Sequence, residues 1–175
     1  MASIGPLYPG TATDNGGGSG SWVTIDLAKT VSDDLAVGAV LRNDTTNYAD
    51  FVNFGFSVPT GATIDGVLVE HRVKEGTGMD GRDGSFKLIV GGTATGVIPA
   101  GASSFTTSLT TRSRGGATSL WSCTLTPAVV NASNFGVRLQ YDELGGADGN
   151  ISLAFVRITI YYTPGVSFNG LHPAL

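Results

Sequence analysis

Residues 134–141 read NFGVRLQY, and this stretch decides the fold class of the chain. Its apolar residues alternate strictly with small or polar ones and are Phe135, Val137, Leu139 and Tyr141. A period of two places successive side chains on opposite faces of a strand, so that one face is buried and the other meets water. The stretch therefore predicts a β-strand in a sheet that packs on one side.

The same alternation recurs along the chain and predicts further strands. The clear ones are residues 50–58, 62–74, 85–90, 121–125 and 150–162, and weaker ones lie at 22–25, 37–41 and 105–109. Helix signals are few: Thr126 as a cap before Pro127 predicts one or two turns, and a second short turn is expected at 32–34. No strand–helix–strand alternation is present. The sequence therefore predicts an all-β fold, an antiparallel jelly-roll-like β-sandwich with one short helix.

Composition and charge agree with a single β domain. The chain has 175 residues, of which 26 are glycine and 14% are charged, and this composition disfavours helices. The lone cysteine, Cys123, excludes a disulfide scaffold and a CxxC-type zinc site, and we expect a buried thiol. A net charge of −4 argues against nucleic-acid binding. With no apolar run of ~18 residues and no leader-like start, neither a membrane span nor a targeting signal is expected.

The chain is expected to divide into three parts. These are an N-terminal arm at 1–20, a β-sandwich domain at 21–163 and a C-terminal arm at 164–175, after the break at Pro164-Gly165. Both arms carry apolar residues without a partner element, and such tails usually dock on another surface. The residues expected to bind a partner are Ile4, Leu7, Tyr8, Phe168, Leu171 and Leu175.

No catalytic, cofactor or metal site is expected from the sequence. The run 76–81 spells GxGxxG, but it leads into the strand around Phe86 rather than a helix, so a hairpin loop is the expectation. The acidic loops lack the spacing of a calcium loop and are expected to close turns. His71 shares the phase of the apolar residues of its strand, which predicts a buried, hydrogen-bonded histidine. The alternative is a histidine on a trimer axis or a pH sensor.

Several segments together resemble virion proteins of tailed bacteriophages. They are FGFSVPTGATIDGVLVE at 54–70, LW at 120–121, TPAVVN at 126–131, NFGVRL at 134–139 and VRITIYY at 156–162. His71 departs from this pattern, in which an aliphatic residue is expected. The resemblance implies a non-enzymatic capsid decoration (cement) protein, made in the host cytoplasm. It would sit as a homotrimer on the outer capsid surface, bound to the major capsid protein without cofactor, nucleic acid or membrane.

A different class of function stays open beside this one, a tail or fibre module that binds carbohydrate during host attachment. Exposed aromatic platforms at Trp22 or Tyr48 would favour it, because flat rings can stack on sugars. Trp121 is expected to pack in the core instead. A sugar hydrolase is a third alternative, and it would need two carboxylates that converge across a cleft.

Overall fold

A computed structural model describes residues 1–31, 34–98 and 103–165, with only the backbone described at 97 and 98. The strands are β1 Ala2–Leu7, β2 Thr11–Asp14, β3 Trp22–Val23, β4 Ala36–Val40, β5 Ala49–Val52, β6 Thr63–Glu75, β7 Gly81–Val90, β8 Thr93–Ile98, β9 Thr110–Gly116, β10 Gly136–Glu143 and β11 Gly149–Thr163. The helical elements are a 3-10 helix at Ile25–Lys29 and the single-turn α1 at Pro127–Val130. None of the described helices is long and apolar enough to cross a membrane.

Two antiparallel sheets form a sandwich, as the sequence predicts. Sheet A has the strand order β3-β4-β11-β6-β9, and β1 pairs with the far half of β11 on the edge that β4 leaves free. Sheet B has the order β2-β5-β10-β7-β8. From β4 onward the chain passes repeatedly between the sheets, which gives the jelly-roll-like order. The loop at 76–80 makes one of these passages, from β6 to β7, so the expected hairpin there is wrong.

The core lies between the inner faces of the two sheets. The alternating residues of β10 face inward, and Val137, Leu139 and Tyr141 are fully buried. On β11 the register shifts between Leu153 and Phe155, so that Leu153 and Val156 both face the core while Phe155 lies on the outer face. One β-bulge thus turns a side chain outward without breaking the long strand.

The predicted N-terminal arm at 1–20 is wrong, because much of it belongs to the sandwich. β1 pairs with β11 and β2 pairs with β5. Ile4 and Leu7 pack against the chain's own core. Local sequence could not show this, because β1 finds its partner strand at the other end of the domain.

Two predicted strands are wrong because residues with positive φ change the direction of the chain. Asn53 (φ 63°) ends β5, and Phe54 then turns into the core without pairing, whereas Val52 lies on the outer face. At 121–125 the expected strand is a turn, with φ of 56° at Trp121. Trp121 is buried as expected and donates its indole N–H to the Val67 carbonyl at 3.0 Å. A non-glycine residue rarely adopts such φ values, so the pattern alone gave no warning.

Of the shorter predicted elements, one is confirmed, one is displaced and one lies partly outside the described residues. Thr126 caps α1 by accepting a hydrogen bond from the Val129 amide at 3.3 Å, which confirms the predicted cap. The weak strand predicted at 105–109 is displaced to β9. The turn expected at 32–34 falls partly on residues 32 and 33, which lie outside the described part of the chain.

Candidate functional site

A cluster of polar side chains is buried between the two sheets. His71 on β6 and Tyr141 on β10 are both fully buried, and His71 Nδ1 lies 2.9 Å from the Tyr141 hydroxyl oxygen. On the other side of the ring, Nε2 lies 3.4 Å from Oδ1 of Asp83 on β7. With its proton on Nε2, facing the carboxylate, the imidazole accepts the hydrogen bond that Tyr141 donates to Nδ1. The buried, hydrogen-bonded histidine predicted from the sequence is confirmed.

Burial keeps this histidine uncharged. Desolvation, followed by the positive charges of Arg114 and Arg112, lowers the pKa of His71 from 6.5 to about 3. Burial also raises the pKa of Tyr141. At neutral pH both side chains are therefore neutral, and neither reaches solvent. The pair resembles part of a catalytic relay, but a substrate could not contact it.

Asp83 holds the charged side of the cluster and joins the two sheets. Its Oδ2 accepts a hydrogen bond from Nε of Arg112 at 3.3 Å and pairs with Nη2 of Arg114. Arg112 also donates to the backbone carbonyls of Ser103 and Ser104, at 2.8 and 3.3 Å. Because both arginines belong to β9 and the carboxylate belongs to β7, these bonds fasten an edge strand of sheet A to sheet B. Removing the Asp83 carboxylate would leave both guanidinium groups, which are largely buried, without their shared counter-charge.

Among the residues that the structure describes, no cleft or cavity opens, and no group of three or more His, Cys, Asp or Glu side chains could hold a metal. Several loop carboxylates bind backbone amides, whereas Asp80 binds the side chains of Arg82 and Ser104. Glu143 is fully buried and accepts hydrogen bonds from the amides of Asp80, Gly145 and Gly146 at 2.9, 3.2 and 2.5 Å. The acidic loop at 142–148 is thus organised by its own carboxylate.

Cys123 is half-buried, not fully buried as expected. Its thiol lies 3.5 Å from the Trp121 carbonyl oxygen, and burial raises its pKa. A raised pKa lowers the fraction of thiolate, so this cysteine is a weak nucleophile.

The two aromatic residues considered as sugar platforms are not open rings. Trp22 is buried, and its indole N–H donates to the Asn47 carbonyl at 2.9 Å. Tyr48 is half-buried on the outer face of sheet B, where the Arg138 guanidinium lies 5.2 Å from its ring centroid. A Cβ on Gly17 would lie 2.8 Å from the Tyr48 ring, so this glycine is needed for the close approach of the loop.

The outer face of sheet A carries a second set of aromatic and charged groups. Arg157 on β11 pairs in a bidentate manner with Glu70 on β6, at 2.9 and 3.0 Å. Its guanidinium lies 4.9 Å from the centroid of Phe155, and the Tyr8 ring stands edge-on to Phe155 at 6.1 Å. Hydrogen bonds from Arg157 to Glu70, and then to Tyr8, raise the pKa of Arg157.

The outer face of sheet B carries the same combination of an arginine, a carboxylate and an aromatic ring, so this combination is not specific to sheet A. There Arg138 pairs with Asp50 at 2.6 and 2.7 Å and lies over Tyr48. The two arginine side chains are almost equally exposed, at 27% for Arg157 and 28% for Arg138. This set alone therefore does not distinguish a ligand-binding face.

The feature that distinguishes the outer face of sheet A is a pair of cations without partners, Arg72 and Lys74 on β6. Within the described ranges, neither side chain forms a hydrogen bond or an ion pair. Their cross-strand neighbours bear no carboxylate: Thr111 and Phe155 lie beside Arg72, and Ser152 lies beside Lys74. The alternation at 62–74 predicts that both point away from the core, and their partial exposure confirms it. Which strands flank them could be learned only from the fold.

The residues predicted to bind a partner fall into two groups. The expectation that the N-terminal ones lie free is wrong: Ile4 and Leu7 pack on the core, and Tyr8 contacts Phe155. Their apolar character serves the chain's own sandwich. The C-terminal ones, Phe168, Leu171 and Leu175, lie outside the described residues.

No protein-family model and no curated protein sequence matches this chain. Among solved structures, it is similar to the xylan-binding module CBM15, with 15% identity, a TM-score of 0.44 and coverage of 94% of this chain and 97% of that one. It is also similar to a CBM4 structure, with 13% identity, a TM-score of 0.39 and coverage of 87% of this chain and 92% of that one. The N-terminal cellulose-binding domain of Cellulomonas fimi β-1,4-glucanase C shows 13% identity, a TM-score of 0.37 and coverage of 94% of this chain and 100% of that one. Likeness at this level carries no argument about what this chain binds.

Proposed function

We propose that this chain is a non-catalytic recognition module that binds a polysaccharide across the outer face of sheet A. The observation that carries the proposal is the pair of partly exposed cations, Arg72 and Lys74, which have no partner among the described residues and lie on a face that also presents hydroxyl groups and the half-buried Tyr8 ring. A flat sheet face suits an extended chain ligand better than a small molecule, which needs a concave site.

The placement of the polar groups supports binding rather than catalysis. The groups best suited to proton transfer, His71 and Tyr141, are sealed in the core, and Asp83 is committed to two arginines. The carboxylates at the surface of sheet A do not form a pair across a cleft, as glycoside hydrolysis requires. Glu70, which lies on the same strand as Arg72 and Lys74, forms an ion pair with Arg157.

The chemistry of the face fits sugar hydroxyls. Arg72 offers a planar set of N–H donors and Lys74 a compact charged donor. Thr111 and Ser113 on β9 and Ser152 on β11 add hydroxyls, which both donate and accept. The half-buried Tyr8 ring adds apolar area at the edge of the same face.

The test is binding of the purified chain to a panel of soluble polysaccharides by affinity electrophoresis and calorimetry. Ser113→Leu places an apolar side chain on the proposed face, and Thr13→Leu is its matched control. Both residues are exposed on edge strands, opposite Glu70 and Asp50 of the two arginine–carboxylate pairs. We expect Ser113→Leu to weaken binding several-fold and Thr13→Leu to leave it unchanged. Absence of binding to every polysaccharide would refute the proposal.

A second candidate function is that of a bacteriophage capsid decoration protein on the outer capsid surface. It is supported by the sequence resemblance, whose longest segments fall on strands β6, β10 and β11 and on residues 54–58, of which Phe54, Phe56 and Val58 are buried. It is also supported by the three apolar residues that follow the last strand. In that setting the chain would form homotrimers and contact the major capsid protein.

A further inference from the structure

The cations of this chain are mostly neutralised, and the exceptions are unevenly placed. The chain has ten Lys and Arg residues and a net charge of −4. Within the part of the chain that the structure describes, six of them pair with carboxylates: Lys29, Arg82, Arg112, Arg114, Arg138 and Arg157. Of the remaining four, Arg72 and Lys74 are consecutive outward residues of one strand, roughly 7 Å apart along it.

The surroundings of these two cations keep them available. Glu70, the next outward residue of β6, is already bound by Arg157. Glu75, at the end of the same strand, directs its carboxylate to the amide of Gly81 at 2.7 Å. The two acids nearest to them along β6 are thus engaged elsewhere.

From this arrangement we infer that the polysaccharide is acidic, and that Arg72 and Lys74 bind carboxylates repeated along it. The inference rests on the proposed function and narrows its ligand class. A guanidinium matches a carboxylate in a bidentate manner, and an ammonium on the next outward position can contact a second carboxylate of the same polymer. An excess of local positive charge on an otherwise acidic protein selects a polyanion over a neutral glycan.

The first arm of the experiment changes only the ligand. Binding of the intact chain is measured with polygalacturonate and with the same polymer after methyl esterification, which removes the charges but keeps the sugar backbone. We expect tighter binding to the free acid and a loss of affinity as salt is raised. Equal binding to both polymers would overturn the acidic ligand and leave the proposed function standing. If the chain bound neither of these polymers nor any neutral polysaccharide, both the acidic ligand and the proposed function would be refuted.

The second arm changes only the protein. The double variant Arg72→Gln with Lys74→Gln removes both charges but keeps polar side chains of similar reach. Lys87→Gln is the matched control, because Lys87 lies on the outer face of sheet B and also has no ion-pair partner among the described residues. We expect the double variant to bind polygalacturonate about tenfold more weakly and the control to bind normally.

Three results of this second arm would overturn the inference. One is an equal loss of affinity in Lys87→Gln, which would indicate a general charge effect. Another is full affinity in the double variant, with circular dichroism showing a folded protein. The third is binding of duplex DNA with the same affinity and the same dependence on these residues, which would indicate a nonspecific polyanion surface.

Discussion

His71 shows at the scale of one residue how a polar side chain is accommodated in an apolar strand. It occupies an inward position between Val69 and Val73, where an aliphatic residue would be simpler. The imidazole is tolerated because Nδ1 is hydrogen-bonded to the Tyr141 hydroxyl and Nε2 lies 3.4 Å from the Asp83 carboxylate. A polar group buried at this position without a hydrogen-bond partner would lower the free energy of unfolding by roughly 1–3 kcal/mol.

The stability of the protein should fall with acid partly through His71. Its pKa is about 3 in the folded state and near 6.5 when unfolded, so below pH 6.5 the unfolded chain binds the extra proton. The contribution to the free energy of unfolding is therefore complete above pH 6.5, and it declines as the pH falls toward 3 by at most ~1.4 kcal/mol per pH unit.

Urea unfolding at several pH values between 4 and 7 measures this slope. We expect His71→Gln to be less stable than the wild type at pH 7 but to lose less stability on acidification. The carboxylates that do not contact His71 are common to both proteins and cancel in the comparison, which leaves His71 and its neighbour Asp83 as the source of the difference. Parallel curves for the two proteins would contradict the role given to His71.

Glu143 is the second residue whose substitution tests the structure. Its carboxylate accepts three backbone N–H groups, from Asp80, Gly145 and Gly146. In Glu143→Gln one oxygen becomes an NH₂ group, which cannot accept, so at least one partly buried amide loses its partner. We expect a loss of about 1–3 kcal/mol in the free energy of unfolding, measured by urea titration.

The control for this substitution is Asp65→Asn at the surface. Asp65 accepts a single hydrogen bond, from the exposed Thr163 hydroxyl. It should change stability by less than about 0.5 kcal/mol. If the two substitutions had equal effects, the Glu143 carboxylate would not organise the loop as described.

At the scale of elements, β1 is an integral strand and not a tail. Ile4 and Leu7 pack on the core, and the backbone of β1 covers the edge of β11 from Ile158 to Tyr162. Ile4→Ala combined with Leu7→Ala should therefore lower the free energy of unfolding by about 2–4 kcal/mol, since both side chains are partly buried. Thermal unfolding followed by circular dichroism measures the effect.

The control for β1 is Ser3→Ala, which alters an exposed side chain of the same strand. It should leave the melting temperature nearly unchanged. A double variant as stable as the wild type would restore the earlier expectation of a free N-terminal arm.

The sequence predicts those elements that are determined by residues close together in the chain. Alternation alone located β6, β10 and β11 and the buried position of His71, because these strands are long and bury one face. It failed at Asn53 and Trp121, where positive φ redirects the chain, and at β1, whose partner is distant in sequence. The candidate site was partly predictable: the outward phase of Arg72 and Lys74 is local, but their lack of acidic neighbours is set by strand pairing.

At the scale of the whole molecule, the described strands form the sandwich, and residues 166–175 lie outside the described part of the chain. β11 ends at Thr163, and its inward residues Ile151, Leu153, Val156, Ile158 and Ile160 join the core with those of the other strands. Deleting 166–175 should therefore leave the melting temperature and the circular dichroism spectrum of the domain unchanged. A shift of many degrees would show that the segment packs on its own sandwich.

The same deletion tests the second candidate function, which gives this segment the capsid as its partner. Burying Phe168, Leu171 and Leu175 against a capsid could contribute ~1.5–3 kcal/mol each before ordering costs are subtracted. Half of that sum already corresponds to more than about tenfold in affinity. Truncated and full-length protein are mixed with undecorated capsids, and the amounts that sediment are compared. On the capsid hypothesis the truncated protein sediments far less, whereas equal occupancy by a folded truncated protein would exclude docking through this segment and leave the polysaccharide-binding face as the surface to be explained.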